Sequence, residues 1–203
     1  MTKKPLWSPK SSENLLNKFV KYLKNNKSNF NDYNKLHEWS IKNKNKFWSK
    51  IWNFTSIIGE LNEPIIENEK NFFKSNFFKN SKLNFTQNLI QFNNNSDAII
   101  FYSEKGHKRK ISWKELDNQV SKISFYFKEK KIKKGDRIAA ILPNIPETVI
   151  GFLGTAKIGA IWSSCSADFG PKAVIDRFKQ IEPKILIISD YYYYNNKKIN
   201  ILE

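Results

Sequence analysis

Between residues 97 and 188, short apolar runs alternate with stripes of apolar residues three and four apart, and this alternation restricts the fold more than any other feature. Asp97 to Tyr102 reads as a strand, Glu104-Lys105-Gly106-His107 as a turn, and a short return to Ile111 completes a hairpin. Ser112-Trp113-Lys114-Glu115 then has the form of a capping box, in which Ser112 and Glu115 satisfy each other's orphan amides. The helix it opens carries Leu116, Val120, Ile123 and Phe127 at spacings of 4, 3 and 4. Lys130, Lys131, Lys133 and Lys134 suit the negative end of its dipole, and Gly135 stops it.

Three apolar runs follow, at Arg137 to Leu142, Ala160 to Trp162 and Ile185 to Ile188, each expected as a strand buried on both faces. Helices separate them. One starts near Pro146 and carries Val149, Ile150, Leu153 and Ala156 up to Gly159; the other opens at Gly170-Pro171 and carries Val174, Ile175, Phe178 and Ile181. Strand, helix, strand, helix, strand is a parallel α/β unit. A three-stranded parallel sheet leaves two raw edges, so an incomplete domain is expected.

The first part of the chain differs in character. Ser11-Ser12-Glu13 offers a cap for a helix through Leu15, Leu16, Phe19, Val20, Tyr22 and Leu23. A second helical stretch from about Asp32 to Trp52 places Leu36, Phe47, Trp48, Ile51 and Trp52 for packing. Residues 60–82, with Pro64 and the pairs Phe72-Phe73 and Phe77-Phe78, read as an irregular strap over another surface. The domain expectation is therefore a helical and irregular extension over residues 1–92 and an α/β domain over 93–203.

Charge narrows the function classes. A formal charge of +16 invites a polyanion partner, but the excess is spread along the chain, and only Arg109, Arg137 and Arg177 among 35 basic residues are arginine. Base and phosphate recognition favours the arginine fork, which argues against nucleic acid. No run reaches the ~18–20 apolar residues of a membrane span, and the basic N-terminus has no apolar segment behind it, so no membrane partner is expected. One cysteine, Cys165, excludes an internal disulfide and suits the cytoplasm.

The α/β region carries a resemblance. Gly135-Asp136-Arg137, Pro143-Asn144-Ile145-Pro146-Glu147 and the run from Gly159 to Gly170 resemble the large domain of acyl-CoA synthetases. Residues 111–120 (ISWKELDNQV) and 155–162 (TAKIGAIW) are similar to core motifs of adenylate-forming enzymes generally. The run WSSCSADFG at 162–170, then Arg177 to Lys184, is similar to the acetoacetyl-CoA synthetases; acetyl-CoA synthetases read differently there. Leu6-Trp7-Ser8-Pro9, Leu36-His37-Glu38-Trp39-Ser40, Phe47-Trp48 and residues 83–89 (LNFTQNL) resemble the same family's N-terminal extension.

The resemblance implies a two-step ligation in which ATP and a small carboxylic acid give an acyl-adenylate and diphosphate, and the thiol of CoA then displaces AMP. It implies ATP, Mg²⁺ and CoA, with acetoacetate as the acid and acetate or propionate as alternatives. The family's phosphate loop and catalytic lysine have no counterpart among the seven glycines or elsewhere here. No catalytic residue and no metal ligand carries over. The chain is therefore expected to be an N-terminal fragment, inactive alone, whose partner is the remainder of the ligase; a non-catalytic partner-binding module is the other class. In related synthetases the segment after the third strand reaches CoA's adenosine phosphate with basic residues and glycines. Here Asp190 to Lys198 holds Tyr193 and Asn196 where the family has arginine and glycine, leaving Lys197 as the candidate phosphate contact, with a solvated loop as the alternative.

Single residues have plainer readings. Gly151 and Gly154 lie inside an apolar helix and read as close packing. Cys165 reads as core, since neither His37 nor His107 stands near it in sequence. Asp168, just before Gly170-Pro171, suits entry into a helix. Two separated histidines and one cysteine make no metal site.

Overall fold

The computed structural model describes residues 14–26, 28–30, 32–106 and 108–202. The cap expected at Ser11 to Glu13, the segment Leu6 to Pro9 and His107 lie outside the described residues. Two compact units divide between Leu83 and Asn84. Among the described residues no helix is long and apolar enough to cross a membrane.

In the first unit, helices α1 (Leu15–Asn25), α2 (Tyr33–Lys42) and α3 (Lys44–Phe54) enclose Phe19, Leu23 and Leu36. Asn14 caps α1 by accepting from the Asn17 amide at 2.8 Å, and Asp32 caps α2 by accepting from the Lys35 amide at 2.9 Å. The single helix expected from 32 to 52 is broken at Asn43, whose backbone (φ −128°, ψ 49°) leaves the helical region. Asparagine competes for backbone groups, and here the Asn43 side-chain amide donates to the Trp39 carbonyl at 3.2 Å. The break sets Asn45 to accept from the Ile66 amide at 2.9 Å and to donate to Glu69 at 2.7 Å.

The expected strap forms two short antiparallel ladders, β1 (Gly59–Glu60) with β4 (Lys82–Leu83) and β2 (Ile66–Glu67) with β3 (Asn76–Phe77). Ile65 and Ile66 are buried, Phe78 lies 5.3 Å from Trp52, and Phe77 lies 5.6 Å edge-on to Trp48. The other pair, Phe72-Phe73, stands exposed among the described residues.

The second unit opens with α4 (Phe85–Leu89), then the hairpin β5 (Asp97–Tyr102) and β6 (Lys108–Ser112). Helix α5 (Trp113–Glu129), strand β7 (Arg137–Ile141), helix α6 (Pro146–Lys157), strand β8 (Ile161–Cys165), helix α7 (Pro171–Ile181) and strand β9 (Ile185–Ile188) follow in the expected order. The sheet order is β8-β7-β9, all parallel. A last hairpin joins β10 (Tyr191–Tyr194) to β11 (Lys197–Asn200).

Only β7 is buried on both faces. Ile138 joins Phe127 and Ile132 on one side, and Ala139 and Ile141 join Cys165, Val174 and Phe178 on the other. Strands β8 and β9, also expected to be buried, lie at the edges, and Ile161 (50%) and Leu186 (51%) are half exposed. The capping box forms by half. Ser112 Oγ accepts from the Glu115 amide at 3.2 Å, but the Glu115 carboxylate accepts from Gln119 Nε2 at 2.8 Å instead of reaching back.

Small residues set the closeness of α5 and α6. A methyl group added to Gly154 would stand 2.3 Å from Cγ2 of Ile123, and one added to Gly151 would stand 3.0 Å from the Trp162 ring. Ser124 uses this approach to donate to the Gly154 carbonyl at 3.1 Å. On the far side of α6, Thr86 Oγ1 donates to the Leu153 carbonyl at 2.7 Å, and the Asn84 amide donates to the Ala156 and Lys157 carbonyls at 3.1 Å. The motif residues at 135–137 tie off the opposite end of the sheet. Gly135 takes φ +85°, Asp136 accepts from Lys184 and from the Lys133 amide, and Arg137 donates to the Ile181 and Glu182 carbonyls at the end of α7.

Two outcomes follow from this packing. Gly154→Ala destabilises the fold by ~1–3 kcal/mol in urea denaturation, and Ile123→Ala in the same chain recovers part of that loss, giving a non-additive double-mutant cycle. The Asp136 carboxyl is held below its ordinary value, first by its hydrogen bond with Lys184 and then by that with the Lys133 amide. Its contribution is therefore complete above the unfolded value of about 4 and is lost as pH falls through the lower folded value. Asp136→Asn should lower stability near neutrality and leave a shallower decline below about pH 4, read from urea midpoints across that window.

Candidate functional site at the carboxyl end of the sheet

Open parallel sheets present ligand sites beyond the carboxyl ends of their strands, where the chain leaves the sheet. Here β7 continues into Pro143-Asn144-Ile145 and β9 into Ser189-Asp190. Between these exits lies a cleft of about 510 Å³, with Tyr102, Glu104, Asn144, Ser189, Asp190 and Tyr192 among its walls. A second depression of about 380 Å³ lies beside Asp168, Phe169 and Ile188, and Tyr192 lines both.

The segment expected as a loop after the third strand is the β10–β11 hairpin. Tyr191 pairs with Asn200, Tyr192 with Ile199, Tyr193 with Lys198 and Tyr194 with Lys197. Alternation accounts for it, since Tyr191 and Tyr193 share a face and meet edge-on at 5.6 Å. Asn195 and Asn196 turn the chain at φ +49° and +61°, the left-handed conformation that a two-residue hairpin turn demands and that asparagine and glycine tolerate. The glycine expected at Asn196 thus has a backbone reason, and asparagine meets it.

The Asn196 amide donates to the Glu104 carboxylate at 3.0 Å, which ties this turn to the β5–β6 turn. Lys105 lies over the Tyr193 ring at 5.9 Å. Lys198 Nζ sits 4.0 Å over the Tyr191 ring and is engaged there. Lys197 opens β11 exposed, opposite Tyr194, with its ammonium turned to no carboxylate among the described residues. Lys197 is exposed and not among the residues that line the cleft, whose nearest wall from this hairpin is Tyr191 to Tyr193.

Other singled-out residues do not gather there. Cys165 is buried among Ala139, Ile141, Val174 and Phe178, as packing requires. His37 belongs to the first unit and stacks on Tyr33 at 6.1 Å. Asp168 does not perform the helix-entry role expected of it. The residue before α7 is Gly170, no side chain caps the helix, and Asp168 stands exposed at the rim of the second depression. Proline at the first helical position removes one orphan amide, which lessens the need for a cap.

Ser189 was not singled out from sequence. Its Oγ is buried with no hydrogen-bond partner among the described residues, at the exit of β9. The signal that could have found it was available, a polar residue directly after the last residue of an apolar parallel strand.

The sequence and fold of the chain are similar to those of known proteins. The family described as "AMP-binding enzyme" matches residues 89–202. The chain is 40% identical over 172 residues to "Acetoacetyl-coenzyme A synthetase" of Rhizobium meliloti (strain 1021), covering 85% of this chain and 26% of that protein. It is 33% identical over 210 residues to "Acetoacetyl-CoA synthetase" of Danio rerio, covering 100% of this chain and 31% of the relative. Among solved structures, "Acetoacetyl-CoA Synthetase from Streptomyces lividans" superposes with a TM-score of 0.87 at 25% identity, covering 98% of this chain and 32% of that one. The chain thus spans between a quarter and a third of the relatives it matches.

The turn yields a direct test. Asn196→Val places a β-branched residue at positive φ and should cost ~1–2 kcal/mol in thermal or urea denaturation. Asn196→Gly should fall within about 0.5 kcal/mol of the parent.

Proposed function

We propose, since this chain belongs to the AMP-binding enzyme family, that it builds the amino-terminal part of an AMP-forming acetoacetate–CoA ligase. The observation that carries the reading is the 40% identity over 85% of the chain to a protein named for acetoacetyl-CoA synthesis. In the ligation, an acetoacetate carboxylate oxygen attacks the α-phosphorus of ATP and diphosphate leaves. The CoA sulfur then attacks the acyl carbon of the adenylate and AMP leaves with the bonding pair.

Residues 1–92, the first unit together with the segment through α4 that begins the second, serve as the family's extension, and residues 93–203 as the first part of the AMP-binding domain. Within the reaction this chain's own contribution is scaffold and one contact. Strand β7 and its flanking helices hold the cleft walls, and the β10–β11 hairpin presents Lys197 to the adenosine phosphate of CoA. A lysine there acts as a point charge without arginine's paired donors. Glu104, by accepting from the Asn196 amide, fixes where that turn stands.

No catalytic role is assigned to a residue of this chain. The family's reaction uses Mg²⁺ to spread phosphate charge. Among the described residues no three His, Cys, Asp or Glu side chains gather where they could hold a metal ion, so the ion is not assigned to this chain and no step passes through it. The reading puts the chain in the cytoplasm, whose reducing conditions suit a single unpaired cysteine.

A chimera tests the reading, with this chain replacing the segment it matches in the Rhizobium meliloti protein. The expected result is acetoacetate-dependent release of diphosphate. Lys197→Ala in that chimera should raise KM for CoA about fivefold, as for loss of roughly 1 kcal/mol from an exposed charge contact, and leave KM for CoA lacking its adenosine phosphate unchanged. A folded, monodisperse chimera that releases no diphosphate would overturn the ligase reading, and an unchanged KM for CoA would overturn the role of Lys197.

A further inference from the structure

The outward face of the last turns of α5 combines apolar rings and lysines in a way that neither the core nor the helix end requires. Phe125 is 65% exposed and Tyr126 is 49% exposed, although their neighbours Ser124 and Phe127 are buried. Lys122 stands three and four residues before the two rings, on the same face. Lys130 stands four residues after Tyr126, with Nζ 5.4 Å over its ring. Lys128, Lys131, Lys133 and Lys134 continue the exposed surface into the following turn.

Between residues 122 and 134 there are six lysines and one carboxylate, Glu129. None of the six is in an ion pair among the described residues. The negative end of the helix dipole accounts for a lysine or two in the last turn. It gives no account of two aromatic side chains turned to water beside them.

We propose that this face docks reversibly on an anionic lipid surface. Amphipathic segments that rest on membranes pair apolar rings, which enter the headgroup boundary, with lysines, which meet the negative lipid charge. The inner face of α5 is committed to the core through Leu116, Val120 and Phe127. Docking is therefore shallow, carried by two rings and the lysine fringe. Such docking departs from the sequence expectation of no membrane partner, which rests on the lack of a spanning run. Among the described residues the lack of a spanning helix bears on crossing and not on this kind of contact. Lysine without arginine suits the diffuse charge of a lipid surface better than the edges of bases.

Co-sedimentation of the full chain with vesicles tests this, using phosphatidylcholine alone and phosphatidylcholine with roughly 30% phosphatidylserine. The chain should sediment with the anionic vesicles, less so as salt rises, and not with the neutral ones. Lys128→Gln, Lys130→Gln and Lys131→Gln together should lower the partition coefficient about a hundredfold, at about fivefold per lysine. Phe125→Ser with Tyr126→Ser should lower it at least about tenfold. The triple variant Lys18→Gln, Lys21→Gln, Lys24→Gln on α1 removes the same charge elsewhere and should bind as the parent does. Circular dichroism and thermal melting establish that each variant is folded. Equal losses in the two lysine triples, equal sedimentation with both vesicle types, or binding to single-stranded RNA at a salt concentration where anionic vesicles are ignored would overturn the proposal.

Discussion

The second unit depends on the double burial of strand β7. Its amides and carbonyls are shared between β8 and β9, and its side chains alternate between two separate clusters, Ile138 toward Phe127 and Ile132, Ala139 and Ile141 toward Cys165, Val174 and Phe178. A strand so placed cannot be stable until helices cover both faces, because parallel strands joined by crossovers have no polar side to turn to water. Helices α5, α6 and α7 are the answer; Gly154 lets α6 approach Ile123 of α5, and Gly151 lets it approach Trp162 of β8. Once these are in place, the carboxyl ends of β7 and β9 must open side by side. The cleft is a consequence of how the central strand is buried.

This ordering explains which motifs serve structure. Gly135-Asp136-Arg137 looks like a functional signature because it joins a flexible residue to two charges. In the fold Asp136 accepts from Lys184 and the Lys133 amide while Arg137 donates to the last carbonyls of α7, so the three residues tie helix ends to the start of β7. Asn84 and Thr86 do the same work along α6. Such residues admit few replacements for geometric reasons alone. They carry a family's likeness without touching its chemistry.

Much of this was legible in the sequence because the physics was local. The apolar stripe Leu116, Val120, Ile123 and Phe127, the Ser112 cap and the positive φ at Gly135 and Gly159 all follow from neighbours a few residues away. What was not legible depended on distant partners. An apolar run such as Ile185 to Ile188 reads alike at the centre or the edge of a sheet, and only the order β8-β7-β9 decides that it lies at an edge. Asn43 interrupts a helical pattern because Asn45 must reach Ile66 and Glu69, residues more than one turn of structure away. The tyrosines 191–194 read as a loop because the strand that pairs with them, Lys197–Asn200, is polar and weak by pattern.

The candidate site was half legible for the same reason. Lys197 could be singled out from the segment it occupies, but that its neighbour Lys198 is drawn onto Tyr191 shows only in the hairpin. Glu104 contributes from a turn ninety-two residues earlier, through the Asn196 amide. Asn195 and Asn196 close this arrangement, since only residues that accept positive φ can end the hairpin where it ends. A glycine pair would do so with more freedom. Asparagines do so with less, and the lysine that follows them opens a paired strand, opposite Tyr194, rather than an unpaired loop.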